Sequence, residues 1–190
     1  RPFIVRVLPW RAYPARLYAE REAARMFSLD ALEAAIRLIR QSIPPTPQFA
    51  WPLLSHRAGA ELWVKHENHT PVGAFKLRGG LVYLAELART QPGLRGPGLH
   101  GIVSATRGNH GQSLAWAGRR YGIPVTIVVP RGNSPEKNAA MLAQGAHLIE
   151  HGADFEAARE EAARLATAEG LEFAPSFAPP LVLGVATWAL

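Results

Sequence analysis

Lys76 lies in the run Lys65-His66-Glu67-Asn68-His69-Thr70-Pro71-Val72-Gly73-Ala74-Phe75-Lys76-Leu77-Arg78-Gly79-Gly80, between an aromatic and an apolar residue. That is an unusual setting for a surface charge. Desolvation disfavours an ammonium ion, and burial is how a lysine becomes a usable amine nucleophile. The chemistry this points to is attack on a carbonyl, with the carbonyl group then held as a Schiff base. Gly79 and Gly80 follow where a helix is expected to begin, and glycine lets backbone come close to a bulky bound group.

A second stretch, Ser104-Ala105-Thr106-Arg107-Gly108-Asn109-His110-Gly111-Gln112, has the parts of an anion and ring-oxygen site. Backbone N–H groups ahead of a helix N-terminus favour a carboxylate or phosphate. Gly108 permits close approach, and the Asn109 amide can donate to a phenolate-like oxygen. Taken alone, the loop reads equally as a turn built by Gly108 and Asn109, with Arg107 a solvated loop charge. The histidines at 66, 69, 110, 147 and 151 include no pair four apart on one helix beside a carboxylate, so no metal site is expected. No G-x-G-x-x-G run follows a strand, which argues against a dinucleotide site. The chain has no cysteine, which excludes disulfides, thiolate nucleophiles and Cys-based metal sites.

The elements that must position these loops alternate in type. Ser28 reads as an N-cap, with Leu29, Leu32, Ile36 and Ile39 on one helical face and Pro44-Pro45-Thr46-Pro47 beyond its end. Glu61–Lys65 alternates like a strand, and Leu77–Ala88 has helical spacing. After a Pro- and Gly-rich stretch at Gln91–Gly98 come strand 101–104, helix 111–121 and the apolar strand Val125–Val129. Ser134-Pro135 opens a further helix closed at Gly145. Strand 146–150 and a helix from Asp154 to Glu169, stopped by Gly170, complete the series. Strands alternating with helices imply an α/β fold, a parallel sheet with helices on both faces, and ligands at the loops leading from strands into helices. Residues 1–27 show no clean period.

At 190 residues, nearly half of them hydrophobic, a soluble globular protein with one sizeable core or two small lobes is expected. No apolar run reaches the ~18 residues a membrane span needs, and no signal peptide is visible; a cytoplasmic location fits. The net charge of +6 comes from arginines spread along the chain. The segment Arg1–Arg25 reads as a solvated face, and no nucleic-acid partner is expected. The missing initial methionine and the uncapped apolar end at Trp188-Ala189-Leu190 suggest a piece of a longer protein.

Together, K-x-E-N-x-x-P-x-G-A-F-K-x-R-G at Lys65–Gly79 and G-N-H-x-Q at Gly108–Gln112 resemble the fold type II pyridoxal-phosphate enzymes. Within that group the chain is most similar to the serine/threonine dehydratase (serine racemase-like) family, from about Ser28 to Leu190. The resemblance implies a two-domain, three-layer α/β fold, here partial. Residues 1–92 would form the N-terminal part of the large domain, 93–170 the small domain, and 171–190 the start of the rest of the large domain. It implies pyridoxal 5′-phosphate held by Lys76 as a Schiff base, Phe75 beside it, and Asn109 on its 3′ oxygen. Thr106, Arg107, Gly108, Asn109 and His110 would lie at the substrate, all but Arg107 cradling its carboxylate. The implied reaction is β-elimination from threonine, serine or a relative to a 2-oxo acid and ammonia, in a homo-oligomer when intact. The alternative is a truncated or degenerate member acting as a binding module.

Three departures sharpen these expectations. Ala74 stands where serine is frequent. Arg107 stands where racemases carry the serine that serves as second base, a role closed to a guanidinium; its charge suits a substrate with an extra carboxylate, such as a hydroxyaspartate. The glycine-rich phosphate loop and the group that meets the pyridine nitrogen would lie beyond Leu190.

Overall fold

The computed structural model describes residues 27–94 and 101–189. The arginine-bearing segment 1–25 and the second half of the 91–98 stretch lie outside the described residues.

Helix α1, Leu29–Arg40, starts at Ser28, whose Oγ accepts from the Ala31 N–H at 3.1 Å. Asp30 in its first turn and Arg37 and Arg40 in its last complement the helix dipole. Ala35 and Ile39 are buried, while Leu29, expected on the same face, is exposed.

Two short elements absent from the sequence expectations follow. Strand β1 (Gln48–Ala50) pairs antiparallel with β2 (Trp63–Lys65), Phe49 opposite Val64, and helix α2 (Pro52–Ala58) lies between them. All of β1 is exposed and α2 buries nothing, so neither carries an alternation that marks one face as core. Helix α3 runs from Lys76 to Thr90.

Four parallel strands form the second sheet: β3 (Ile102–Ala105), β4 (Val125–Val129), β5 (His147–Glu150) and β6 (Glu172–Phe173), in the order β5-β4-β3-β6. Its side chains alternate in the period of two that a sheet covered on both faces requires. Ile102, Val125, Ile127 and Val129 join one buried cluster with Leu114 and Met141, from helices α4 (Asn109–Tyr121) and α5 (Pro135–Ala143). Val103, Ala105 and Val128 join a separate cluster under helix α6 (Phe155–Glu169), with Ala158, Ala162 and Leu165. Helices therefore cover both faces, as expected. Ser134 and Asp154 cap α5 and α6 through their side chains, and Gly170 ends α6 in the left-handed region.

Helix α3 packs against α4 and against α7 (Pro179–Ala186). The first cluster is continuous from Ala35 of α1 through Leu77, Leu81 and Leu84 of α3 to Leu181 of α7. Lys76 and the loop before α4 thus sit where the helical layer meets the carboxyl end of β3.

Candidate active site around Lys76

A short clamped turn sets the start of α3. The Gly73 N–H donates to the Thr70 carbonyl, with Gly73 at φ +64°, a conformation that favours glycine. The buried Thr70 hydroxyl donates to the Ala74 carbonyl and accepts from the Ala74 N–H, both at 3.0 Å. Phe75 then serves as N-cap and Lys76 is the first helical residue. The Lys76 carbonyl accepts from the Ser113 hydroxyl at 2.9 Å, which ties it to α4.

The two glycines after Lys76 act mainly in helix packing, which corrects the expectation that they make room for a ligand. A Cβ on Gly80 would come within 2.8 Å of the Ser113 carbonyl oxygen, and one on Gly79 within 2.7 Å of the Leu181 carbonyl oxygen. Gly80 lets α4 approach and Gly79 admits α7. Gly79 keeps part of its expected role, since it also lines the cavity at Lys76.

That cavity has a volume of about 170 Å³, and its walls include Phe75, Lys76, His110, Phe177, Val182 and Val185. Lys76 is half-buried, and its Nζ lies 5.7 Å from the centroid of the Phe75 ring. His110 is 7% exposed and its Nε2 has no hydrogen-bond partner. Burial pushes its imidazole down to about 4, the nearby Lys76 charge adds to this, and the Pro175 carbonyl partly opposes it.

Helix α4 starts at Asn109, two residues earlier than expected, so Asn109 and His110 belong to its first turn. Its N-cap, Gly108, has no side chain to bond the first-turn N–H groups. Thr106 Oγ1 accepts from the Gly108 N–H at 3.1 Å and shapes the loop from within. Arg107 and Asn109 are exposed. The Arg107 carbonyl accepts from Asn133 Nδ2 at 3.3 Å; the same amide donates to Asn138, and Asn138 in turn donates to Glu150. The turn after β4 therefore holds the backbone of this loop. Of the expected site residues, Phe75, Lys76 and His110 share the cavity, while Thr106, Arg107, Gly108 and Asn109 form the adjoining loop.

A buried network behind Lys76 went unread in the sequence. Arg78, 6% exposed, donates to Glu67 from Nε at 2.7 Å and from Nη2 at 2.9 Å. Thr46 Oγ1 donates to Glu67 at 2.6 Å, and Arg78 also reaches Thr46 and Thr187 at 3.4 Å. Burial pushes the Glu67 carboxyl up, but bonds from Arg78 and Thr46, with the charges of Arg78 and Lys65, outweigh it and leave it below its ordinary value. The signal was present, since Glu67 and Arg78 both stand in the lysine motif.

Residues 39–190 match the protein family described as pyridoxal-phosphate dependent enzymes. The chain belongs to that family. It is 34% identical over 163 residues to L-threonine dehydratase biosynthetic IlvA of Salmonella typhimurium, covering 85% of this chain and 30% of that protein. It is 30% identical over 154 residues to the L-threo-3-hydroxyaspartate ammonia-lyase of Saccharomyces cerevisiae, covering 81% of this chain and 45% of that one. Among solved structures it superposes on the processed form of threonine deaminase isoform 2 from Solanum lycopersicum with a TM-score of 0.70 and 28% identity, over 86% of this chain and 48% of the other. The chain thus spans less than half the length of these relatives.

The residues present fit the cofactor of the family. Lys76 offers an amine to its carbonyl, and Phe75 and the apolar walls suit a planar ring.

Proposed function

We propose that the whole protein is an ammonia-lyase that removes the β-hydroxyl and the amine of threonine, serine or a related amino acid, giving a 2-oxo acid and ammonia. The observation that carries this reading is Lys76 at the start of α3, in one cavity with His110 and beside the uncapped start of α4. The printed activities of the similar dehydratase and ammonia-lyase point the same way. No observation favours the non-catalytic binding-module reading.

In this reading pyridoxal phosphate, when bound, supplies the electron sink that makes the substrate Cα–H acidic. Lys76 would hold the cofactor through its amine and, once free, would take the substrate Cα proton at Nζ. Phe75 and Asn109 would help hold the cofactor, the first through its ring and the second through its side-chain amide. The first-turn N–H groups of α4, with Thr106 and Gly108 shaping the loop, receive the substrate carboxylate. Leu181, Val182 and Val185 keep water from the reacting face. Arg107, exposed on the same loop, supports a preference for a substrate with a second carboxylate. The two-domain division at 92–93 and 170–171, a homo-oligomeric state and a cytoplasmic location belong to the same proposal.

The test is Lys76→Ala in the whole protein with added cofactor. We expect loss of the visible absorbance of the lysine-bound cofactor and of 2-oxo acid release. Unchanged absorbance removes Lys76 from the role.

A further inference from the structure

The loop that leads from β3 into α4 has one side-chain hydrogen bond of its own, between Thr106 Oγ1 and the Gly108 N–H. Its remaining side-chain support comes from the next junction of the sheet. Asn133 Nδ2 donates to the Arg107 carbonyl at 3.3 Å and to Asn138 Oδ1 at 2.7 Å, and Asn138 Nδ2 donates to Glu150 Oε1 at 3.1 Å. Beside this chain of amides the Lys137 stem lies against Gly108, where a Cβ would come within 3.0 Å of Lys137 Cδ.

The chain of amides has one consistent direction. A carboxylate only accepts, so Asn138 must turn its Nδ2 to Glu150 and its Oδ1 to Asn133. Asn133 then meets two acceptors and must offer both hydrogens of its Nδ2. The chain crosses the carboxyl ends of three neighbouring strands, β3, β4 and β5, with Val129 of β4 opposite Glu150 of β5. That edge is where parallel sheets place their ligands. Asn138 stands at the centre, 8% exposed and bonded on both sides, so the fold rather than water sets its orientation. We propose that Asn138 is a positioning residue: through Asn133 it sets the Arg107–Gly108 backbone that receives the substrate carboxylate. Its effect on substrate rests on the ammonia-lyase reading; its effect on the loop does not.

Hydrogen exchange of the 106–109 amides in the full chain, without ligand, reads the brace. We expect Asn133→Ala and Asn138→Ala each to speed that exchange about 5- to 10-fold, the weight of one neutral hydrogen bond, and to leave β3 and β4 as they are. In the whole protein with cofactor, each should raise the substrate KM by a similar factor and hold kcat within about 2-fold, the pattern of lost uniform binding. Because Asn138 acts through Asn133, the double variant should match the stronger single rather than their product. Asn138→Asp should break the chain by setting two carboxylates together, and adding Glu150→Gln, whose amide can donate, should restore both readouts. Unchanged loop exchange overturns the role, as do an unchanged KM beside faster exchange and effects that multiply in the double variant. Asn133 is half-buried in the turn after β4, so Asn133→Ala carries the test if Asn138→Ala does not fold. Unchanged absorbance in Lys76→Ala removes the functional reading, and the exchange result then supports or overturns the brace by itself.

Discussion

His110 is neutral in the folded protein well below the pH at which a free histidine takes up a proton, because burial and the Lys76 charge push it down to about 4. The unfolded chain binds that proton near 6.5, so between those values the unfolded state holds more protons. Stability is complete above about 6.5 and falls as the pH drops toward 4, by on the order of 3 kcal/mol from this residue. Urea unfolding midpoints at pH 7 and pH 4.5 should show the loss, and His110→Phe should flatten it. Glu67 adds a loss at lower pH, since its carboxyl is held below its ordinary value and its contribution fades as it protonates. At this scale the half-buried setting of Lys76 was legible from its neighbours. The burial of His110 was not, because Pro175, whose backbone lies beside it, arrives far along the chain after three further strands.

Helix α3 carries Lys76 at one end and two devices that hold it in place. The first is the Arg78–Glu67 pair, with side chains only 7% and 15% exposed. Removing one member of a buried pair leaves the other unpaired, so Glu67→Ala should cost about 3–5 kcal/mol. Thermal unfolding measures it; a change within experimental error would show that water replaces the carboxylate. The second is Gly80, where Ala would force α3 and α4 apart at a cost of about 1–3 kcal/mol. That substitution should also lower the affinity for cofactor by straining the Ser113–Lys76 bond, as titration of absorbance would reveal. The parallel sheet and its helices were legible because β3 and β4 are apolar runs bounded by turn residues and the helices carry caps. Strands β1 and β6 were not, since three exposed residues and two half-buried ones carry no periodicity. The glycines misled because close helix packing and close ligand approach leave the same mark in a sequence.

Across the whole molecule, one buried cluster joins the helical layer to the parallel sheet, while Phe49, Leu53, Leu54 and Trp63 of the antiparallel pair and α2 stay exposed. Exposed apolar groups this close together suit contact with further protein. The homo-oligomer proposed for the intact protein is checked by its mass in solution, and Trp63→Glu should lower that mass if this surface is the contact. Substrate choice belongs to this scale as well, since Arg107 stands on a loop whose backbone is held by the turn after β4. Arg107→Ser should reduce kcat/KM for a hydroxyaspartate about 10-fold or more relative to threonine, the loss of one charge-assisted contact. An unchanged ratio would leave Arg107 as a solvated charge. The charge was legible in the sequence; the Asn133–Asn138–Glu150 chain that steadies its loop was not, because those residues stand on a turn, a helix and a strand.

His110 and Ser113 lie three apart on α4 and so share a helix face. One lines the cavity at the Lys76 side chain, and the other grips the Lys76 backbone through a 2.9 Å hydrogen bond. Mechanically, α4 is then a lever with two points of attachment to the same lysine, and the Ser113 hydroxyl is its latch. Without the Ser113 hydroxyl, this side-chain bond between α4 and the Lys76 backbone would be lost.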